Sequence, residues 1–371
     1  MSTRLVESVI IGGGQAGLSV GYYLAQRGLP FMILDQNDRI GDAWRKRWDS
    51  LRLFTPSRYN GLPGMRFPGS LSAYPTKDET ADYLEAYARQ FQLPIRTGVK
   101  VDRLSKIGDR FEVICGAESF LADNVVVASG GSHNPRVPPF APQLDQGIVQ
   151  LHSTEYRNPS QLRDGGVVVV GAGNSGAEIA IELARHHQTW LSGPDTGQEP
   201  TKAGTIPDRL LTPILWFMAT RVLTVQTPIG RKVRNHFLDP PRGIPLGRVR
   251  RKDIVATGVE RVPRTTGVKG GYPLLEDGRA LPVSNVVWCT GFTPGFQWID
   301  LPLPTDNGIP IHNRGIIESS PGLYFIGLPF LYSLSSPLVG GVGRDAKHIV
   351  DHLASTRSGR QGEVSGQTVP R

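Results

Sequence analysis

Apolar residues fall in short solid runs, each closed by a glycine-rich turn and several followed by helical spacing. Val9-Ile10-Ile11 ends in Gly12-Gly13-Gly14-Gln15-Ala16-Gly17, and Leu18–Gln26 follows as a helix. Phe31–Leu34, Val125–Ala128, Val167–Val170, Thr189–Leu191, Asn285–Cys289 and Leu323–Gly327 are further runs. Runs without polar alternation suit strands covered on both faces, so the pattern predicts an α/β chain. Lys77–Phe91 reads as an amphipathic helix, with Ala81, Leu84, Ala88 and Phe91 on one face, Thr76 as cap, and Asp78 and Glu79 in its first turn. Short strands near Val99–Leu104 and Phe111–Ile114 suggest an antiparallel excursion. Leu51–Pro75, rich in proline and glycine and without periodicity, reads as a long functional loop. From Ser355 to Arg371 the chain is polar and aperiodic, which predicts a disordered tail.

The turn after the first run carries chemistry. In Gly12-x-Gly14-x-x-Gly17 the first glycine permits a tight turn and the second lets a pyrophosphate approach the backbone. The third lets the helix pack on the strand, with its first amides aimed at phosphate. Asp35, 18 residues past Gly17, closes the second strand where an acid can hold a ribose hydroxyl pair. The device recurs at Gly171-Ala172-Gly173-Asn174-Ser175-Gly176, opening the helix Ala177–Arg185 with the same offsets. Two such turns predict two dinucleotides and two Rossmann-like domains. The expected division is a first domain from residues 1–160 and 285–354, with a nicotinamide-nucleotide domain, 161–284, inserted in it.

Composition narrows the field. The formal charge is +8 over 371 residues, thinly spread, as suits anionic cofactors rather than nucleic acid. Cys115 and Cys289 stand far apart without a C-x-x-C, so a dithiol redox pair is excluded and a reducing cytoplasm is expected. Neither a signal peptide nor a membrane span is read, and no metal-ligand spacing exists. The second unit is less orderly. After Thr189–Leu191 comes Ser192-Gly193-Pro194-Asp195, leaving Asp195 for a ribose and Lys202 or Arg209 for a phosphate. Leu210–Val225 is the most apolar window, read as a packed helix lining a cleft or a homodimer seam rather than a membrane-surface anchor. Arg231–Lys252 carries eight basic residues against Asp239 alone, either as a solvated face or to attract cofactor phosphates. Gly340–Asp345 opens a helix whose amides could meet a flavin.

Together the paired turns, Ile40-Gly41-x-x-Trp44, Tyr74-Pro75-Thr76-Lys77 and Thr290-Gly291-Phe292 resemble the flavin-containing monooxygenases, in particular the auxin-forming type and its bacterial relatives. The likeness runs from about Val6 to Leu353. It implies FAD on the first turn, NADPH on the second (NADH being possible), and a small organic substrate. Reduced flavin would capture O2 as a C4a-(hydro)peroxide, and one oxygen atom would be inserted. Trp44 would lie against the flavin or fill a domain seam. Gln36, Val101, Ser129, Gly130, Thr290, Gly291 and Gly327 complete the candidate cofactor-binding set. Tyr332, Ser333 and Ser335 could face the ring, and Leu51–Phe54 and Leu215–Phe217 could exclude water.

Three departures from the family pattern stand out. Of its F-x-G-x-x-x-H-x-x-x-Y fingerprint only His152 and Tyr156 survive, Gln146 and Ile148 replacing the first two. His152 is expected to join the domains, and His133 is the other motif-placed histidine. Where N/S-oxidising members place an asparagine beside the flavin, the aligned residue is Phe54. The arginine expected after Leu191 is missing, which leaves NADPH against NADH open. An NAD(P)H oxidase or small-acceptor reductase is the alternative function.

Overall fold

The computed structural model describes residues 2–131, 134–200, 203–238 and 245–365. Two sheets organise it. The first has seven strands: Ile95–Arg96, Met32–Leu34, Ser2–Ile11 and Glu118–Val127 lie side by side and parallel, followed by Arg110–Cys115 and Arg103–Ile107, which are antiparallel. Leu323–Phe325 pairs with the C-terminal part of Glu118–Val127, at Leu323↔Val125. The long strand Glu118–Val127 thus serves the nucleotide sheet at one end and the antiparallel excursion at the other. That excursion is a hairpin turned at Gly108, displaced a few residues from the expected Val99–Leu104.

The second sheet is wholly parallel, in the order Glu260–Val262, Thr189–Ser192, Val167–Val170, Asn285–Trp288, Val149–His152. Its central strand is buried on both faces. Val167 and Val169 enter one apolar cluster and Val168 and Val170 another, as a two-residue period requires. Val149–His152 and Asn285–Trp288 hydrogen-bond within this sheet, not the first, because parallel neighbours are joined by crossovers that sequence order does not reveal.

The helix after each glycine turn runs Gln15–Gln26 and Asn174–Leu183. The third predicted helix spans Lys77–Gln90 and begins in a reciprocal cap. Thr76 Oγ1 accepts the Glu79 amide at 3.1 Å, and Glu79 Oε2 accepts the Thr76 amide at 2.7 Å. One expectation needs correcting. The supposed tail is helical from Val342 to Ser365, its buried Val342, Ala346, Ile349, Val350 and Leu353 packing at helical spacing on the first core; residues 366–371 lie outside the described residues. Leu210–Val225 falls on a helix, Ile206–Phe217, and a wide turn, Met218–Val222, elements in which Asp208 alone is buried.

Candidate functional site

The two glycine turns are built alike. Gly12 has φ +113° and Gly171 has φ +109°. A Cβ there would stand 2.5 Å from Ala128 O in the first and 2.2 Å from Cys289 O in the second. Only glycine accepts both the left-handed backbone and that approach. A Cβ on Gly17 would meet Gly12 O at 1.9 Å, and one on Gly176 would meet Gly171 O at 1.8 Å, so each helix is pressed onto its strand. Gly14 and Gly173 differ: nothing lies within 4 Å of a Cβ at either. These two residues are the helix N-caps, and neither helix has a side-chain cap. A cradle free of side chains before uncapped amides fits a pyrophosphate at each turn.

Around the first turn, Asp35 Oδ2 accepts the Gly13 amide at 2.6 Å, and Oδ1 accepts the Asn37 amide at 2.8 Å. A carboxylate has lone pairs left for a ribose after those bonds. Gly327, φ +80°, comes against Ala16, where an added Cβ would be 3.4 Å from the Ala16 Cβ. Ser129 stands beside Gly12 with its Oγ buried and unpartnered, and Gly130 has φ +78°. Val101 and Trp44 are half-buried against the first core, and the Val99 amide donates to Asp35 O at 2.9 Å. Gln15 sits in the first helical turn, where its carbonyl accepts Ser19 Oγ at 2.7 Å, and Gln36 is exposed. Gly41, φ +90°, is forced by the helix backbone, since a Cβ would lie 2.5 Å from Ala81 O.

The seam between the units was partly hidden in the sequence. Trp48, four residues past Trp44, enters the core of the second unit. Phe54 lies against Gly247, whose Cβ would be 3.4 Å from that of Phe54. Asn174 fixes this flank, its Oδ1 accepting the Gly247 amide at 2.9 Å and its Nδ2 donating to Pro245 O at 3.1 Å. Tyr74 donates to Asp208 Oδ2 at 2.7 Å, and Tyr59 stacks on Trp216 with ring centroids 4.9 Å apart. The Tyr74–Lys77 segment therefore works as a pin: Leu53 and Lys77 exchange main-chain bonds with Pro75 and Leu51 across it.

His152 and Tyr156 are joints. His152 Nδ1 accepts the Thr154 amide at 3.2 Å, so Nε2 carries the proton and donates to Gly291 O at 3.2 Å. Burial lowers the pKa of the imidazole, which suits this neutral form. Gly291 O also accepts the Arg136 amide, and Thr290 Oγ1 bonds Arg136 O, so the two crossing segments are tied together. Tyr156 donates to Glu182 Oε2 at 2.7 Å on the second nucleotide helix, one turn from Glu178 and two from Ser175.

Other candidates are used internally. Ser333 and Ser335 are buried with their Oγ atoms 3.0 Å apart, and Arg344 donates to Ser333 at 2.9 Å. The guanidinium groups of Arg314 and Arg344 lie over the Tyr332 ring, 4.2 and 4.5 Å from its centroid. Gly340 and Gly341 are there for close packing, since a Cβ on either would reach 1.8 Å from Tyr59 O or Ser335 O. His133, Lys202 and Asp239 lie outside the described residues.

Two arginines that spacing alone could not place stand beside the Ser192–Asp195 turn. Asp195 pairs with Arg251 Nε at 2.7 Å and Arg261 at 3.8 Å, and Arg261 donates to Gly193 O at 3.3 Å. Arg261 stands on the neighbouring strand, opposite Leu191. An open cavity of about 380 Å³ lined by Gln198, Arg250, Arg251 and Lys252 adjoins it.

A sequence model of the pyridine nucleotide-disulphide oxidoreductase family matches residues 9–209. The chain is 41% identical over 356 residues to a CzcO-like oxidoreductase of Geobacillus kaustophilus, covering 94% of this chain and 99% of the relative. It belongs to the class B flavoprotein monooxygenase superfamily. An indole-3-pyruvate monooxygenase, YUCCA1 of Oryza sativa subsp. japonica, is 36% identical over 188 residues, half of this chain and 46% of its own. The flavin-containing monooxygenase of Stenotrophomonas maltophilia superposes with a TM-score of 0.75 at 28% identity, over 95% of this chain and 99% of that one. The chain is thus an FAD- and NAD(P)H-dependent oxidoreductase. Among the described residues no helix is long and apolar enough to cross a membrane, and no cluster of metal ligands exists.

Proposed function

We propose that this oxidoreductase is a monooxygenase that uses NADPH and O2 to place one oxygen atom on a small organic substrate. Gly12, Gly14, Gly17 and the helix Gln15–Gln26 would hold the FAD pyrophosphate, and Asp35 its ribose. Gly171, Gly173, Gly176 and the helix Asn174–Leu183 would hold the nicotinamide cofactor. The redox chemistry between the nicotinamide cofactor and O2 would be supplied by the FAD held there. The protein's part is to orient the two cofactors and keep water out between them.

The observation that carries this reading is the closure of the seam. Phe54 against Gly247, Trp48 in the second core and Tyr59 on Trp216 put apolar and aromatic groups between the units. A phenyl ring at Phe54 excludes water but donates no hydrogen bond, so polar contacts to activated oxygen would come from the bound nicotinamide or from backbone amides. Cys289 supports the same side. Burial pushes its thiol up to about 12, and burial pushes Cys115 to about 11, so neither offers a thiolate for disulfide chemistry at neutral pH.

The test is product accounting. NADPH oxidation is followed across amines, sulfides, ketones and aryl keto acids while hydrogen peroxide is trapped. A substrate that suppresses peroxide while forming an oxygenated product supports the reading. Stoichiometric peroxide with every compound would leave an NAD(P)H oxidase.

A further inference from the structure

The excursion 203–238 lies across the first unit, held by the Tyr74–Asp208 hydrogen bond, the Tyr59–Trp216 stack and the Val225 amide on Tyr332 O at 2.8 Å. Its other face is bare and apolar. Ile206, Leu210, Ile214 and Phe217 are 74, 72, 57 and 58% exposed. Their spacing of four, four and three residues sets them in one line along the helix Ile206–Phe217. Ile229, 60% exposed, extends the apolar surface onto the helix Pro228–Leu238. Scattered exposed hydrophobics are ordinary, but a stripe of four in register is the mark of an interaction surface.

The charge around the stripe selects its occupant. Arg209, Arg221, Arg231 and Lys232 are exposed, and Arg234 is half-buried. Asp208, the sole acid in residues 203–238, is buried against Tyr74. We propose that this face docks on the surface of an anionic phospholipid bilayer, with the stripe entering the headgroup–acyl boundary and the cations meeting lipid phosphate. Pairing two copies through the same patch would set identical cationic rims together, with no exposed acid of the segment to answer them. Anionic headgroups supply that missing charge. The docked helix is also the one that carries Trp216 onto the seam-covering loop, so the bilayer would lie just behind the groups that close the site.

The test is co-sedimentation of the flavin-loaded protein with phosphatidylglycerol–phosphatidylcholine vesicles and with phosphatidylcholine alone. Partitioning should favour the anionic vesicles by about tenfold or more and weaken as salt is raised. Leu210→Glu combined with Ile214→Glu should reduce it by about tenfold or more, because two apolar anchors become anions. Both side chains are exposed, so flavin content and thermal transition should match the wild type. Equal or absent sedimentation with the two vesicle types would overturn the proposal, as would unchanged binding by the double variant. So would a stable dimer, read by analytical ultracentrifugation, that the double variant dissolves while vesicles capture neither protein.

Discussion

Phe54 and Gly247 meet across the two units, so close that a Cβ on Gly247 would stand 3.4 Å from the Cβ of Phe54. A lone Cβ there would sit in ordinary contact, with Glu199 Oε1 3.6 Å from the same point, so it takes a larger side chain to press on Phe54. Gly247→Leu should force Phe54 aside and open the seam. The share of NADPH electrons released as hydrogen peroxide should rise severalfold while flavin content holds; an unchanged share would show that Phe54 does not exclude water.

The two kinds of glycine in each turn should fail differently. Gly14→Leu points into open space, so the chain should fold and lose flavin, seen by spectrum and by thermal unfolding. Gly17→Ala drives a Cβ within 1.9 Å of Gly12 O and should cost about 3 kcal/mol or more whether or not flavin is present. Gly173→Leu should keep the flavin and abolish its reduction by NADPH.

Cofactor choice should reside in Arg251 and Arg261. Replacing both by alanine should weaken NADPH about tenfold or more, since a charge-assisted hydrogen bond is worth roughly 1.5–3 kcal/mol, and should leave NADH little changed. Anaerobic flavin-reduction rates at varied cofactor concentration make the comparison. Equal losses with both cofactors would place the arginines elsewhere than at a 2′-phosphate.

The turns, Asp35, the Thr76 cap and both nucleotide units were legible because each depends on residues close in sequence. The placement of Trp48, Arg251 and Arg261 was not, because it follows from strand order and tertiary packing. Parallel pairing also carried Val149–His152 and Asn285–Trp288 into the second sheet, which no local pattern encodes. For Leu210–Val225 the hydrophobicity reports a preference for leaving water, not which surface satisfies it. Polarity alone misjudged residues 355–365, where a helix already packed through Leu353 simply continues.

A pH dependence of stability follows from Glu178. Burial pushes its carboxyl up to about 7, Arg248 at 4.0 Å opposing only in part and Glu182 adding to the rise. The folded chain holds this proton more tightly than the unfolded chain. The group's stabilisation is therefore full below about pH 4.5 and is lost as pH rises through 7. Glu178→Gln should retain stability between pH 5 and pH 8 that the wild type loses, by on the order of 3 kcal/mol. Denaturant titrations at the two pH values measure it, and parallel losses in both proteins would refute the assignment.

The fate of oxygen tests the central claim most directly. The flavin-loaded enzyme is supplied with NADPH under ¹⁸O2 and the same panel of amines, sulfides, ketones and aryl keto acids, and products are read by mass spectrometry. The account predicts at least one product carrying a single ¹⁸O, formed in proportion to the NADPH consumed. Recovery of all the electrons as labelled hydrogen peroxide, with every compound returned unchanged, would contradict it.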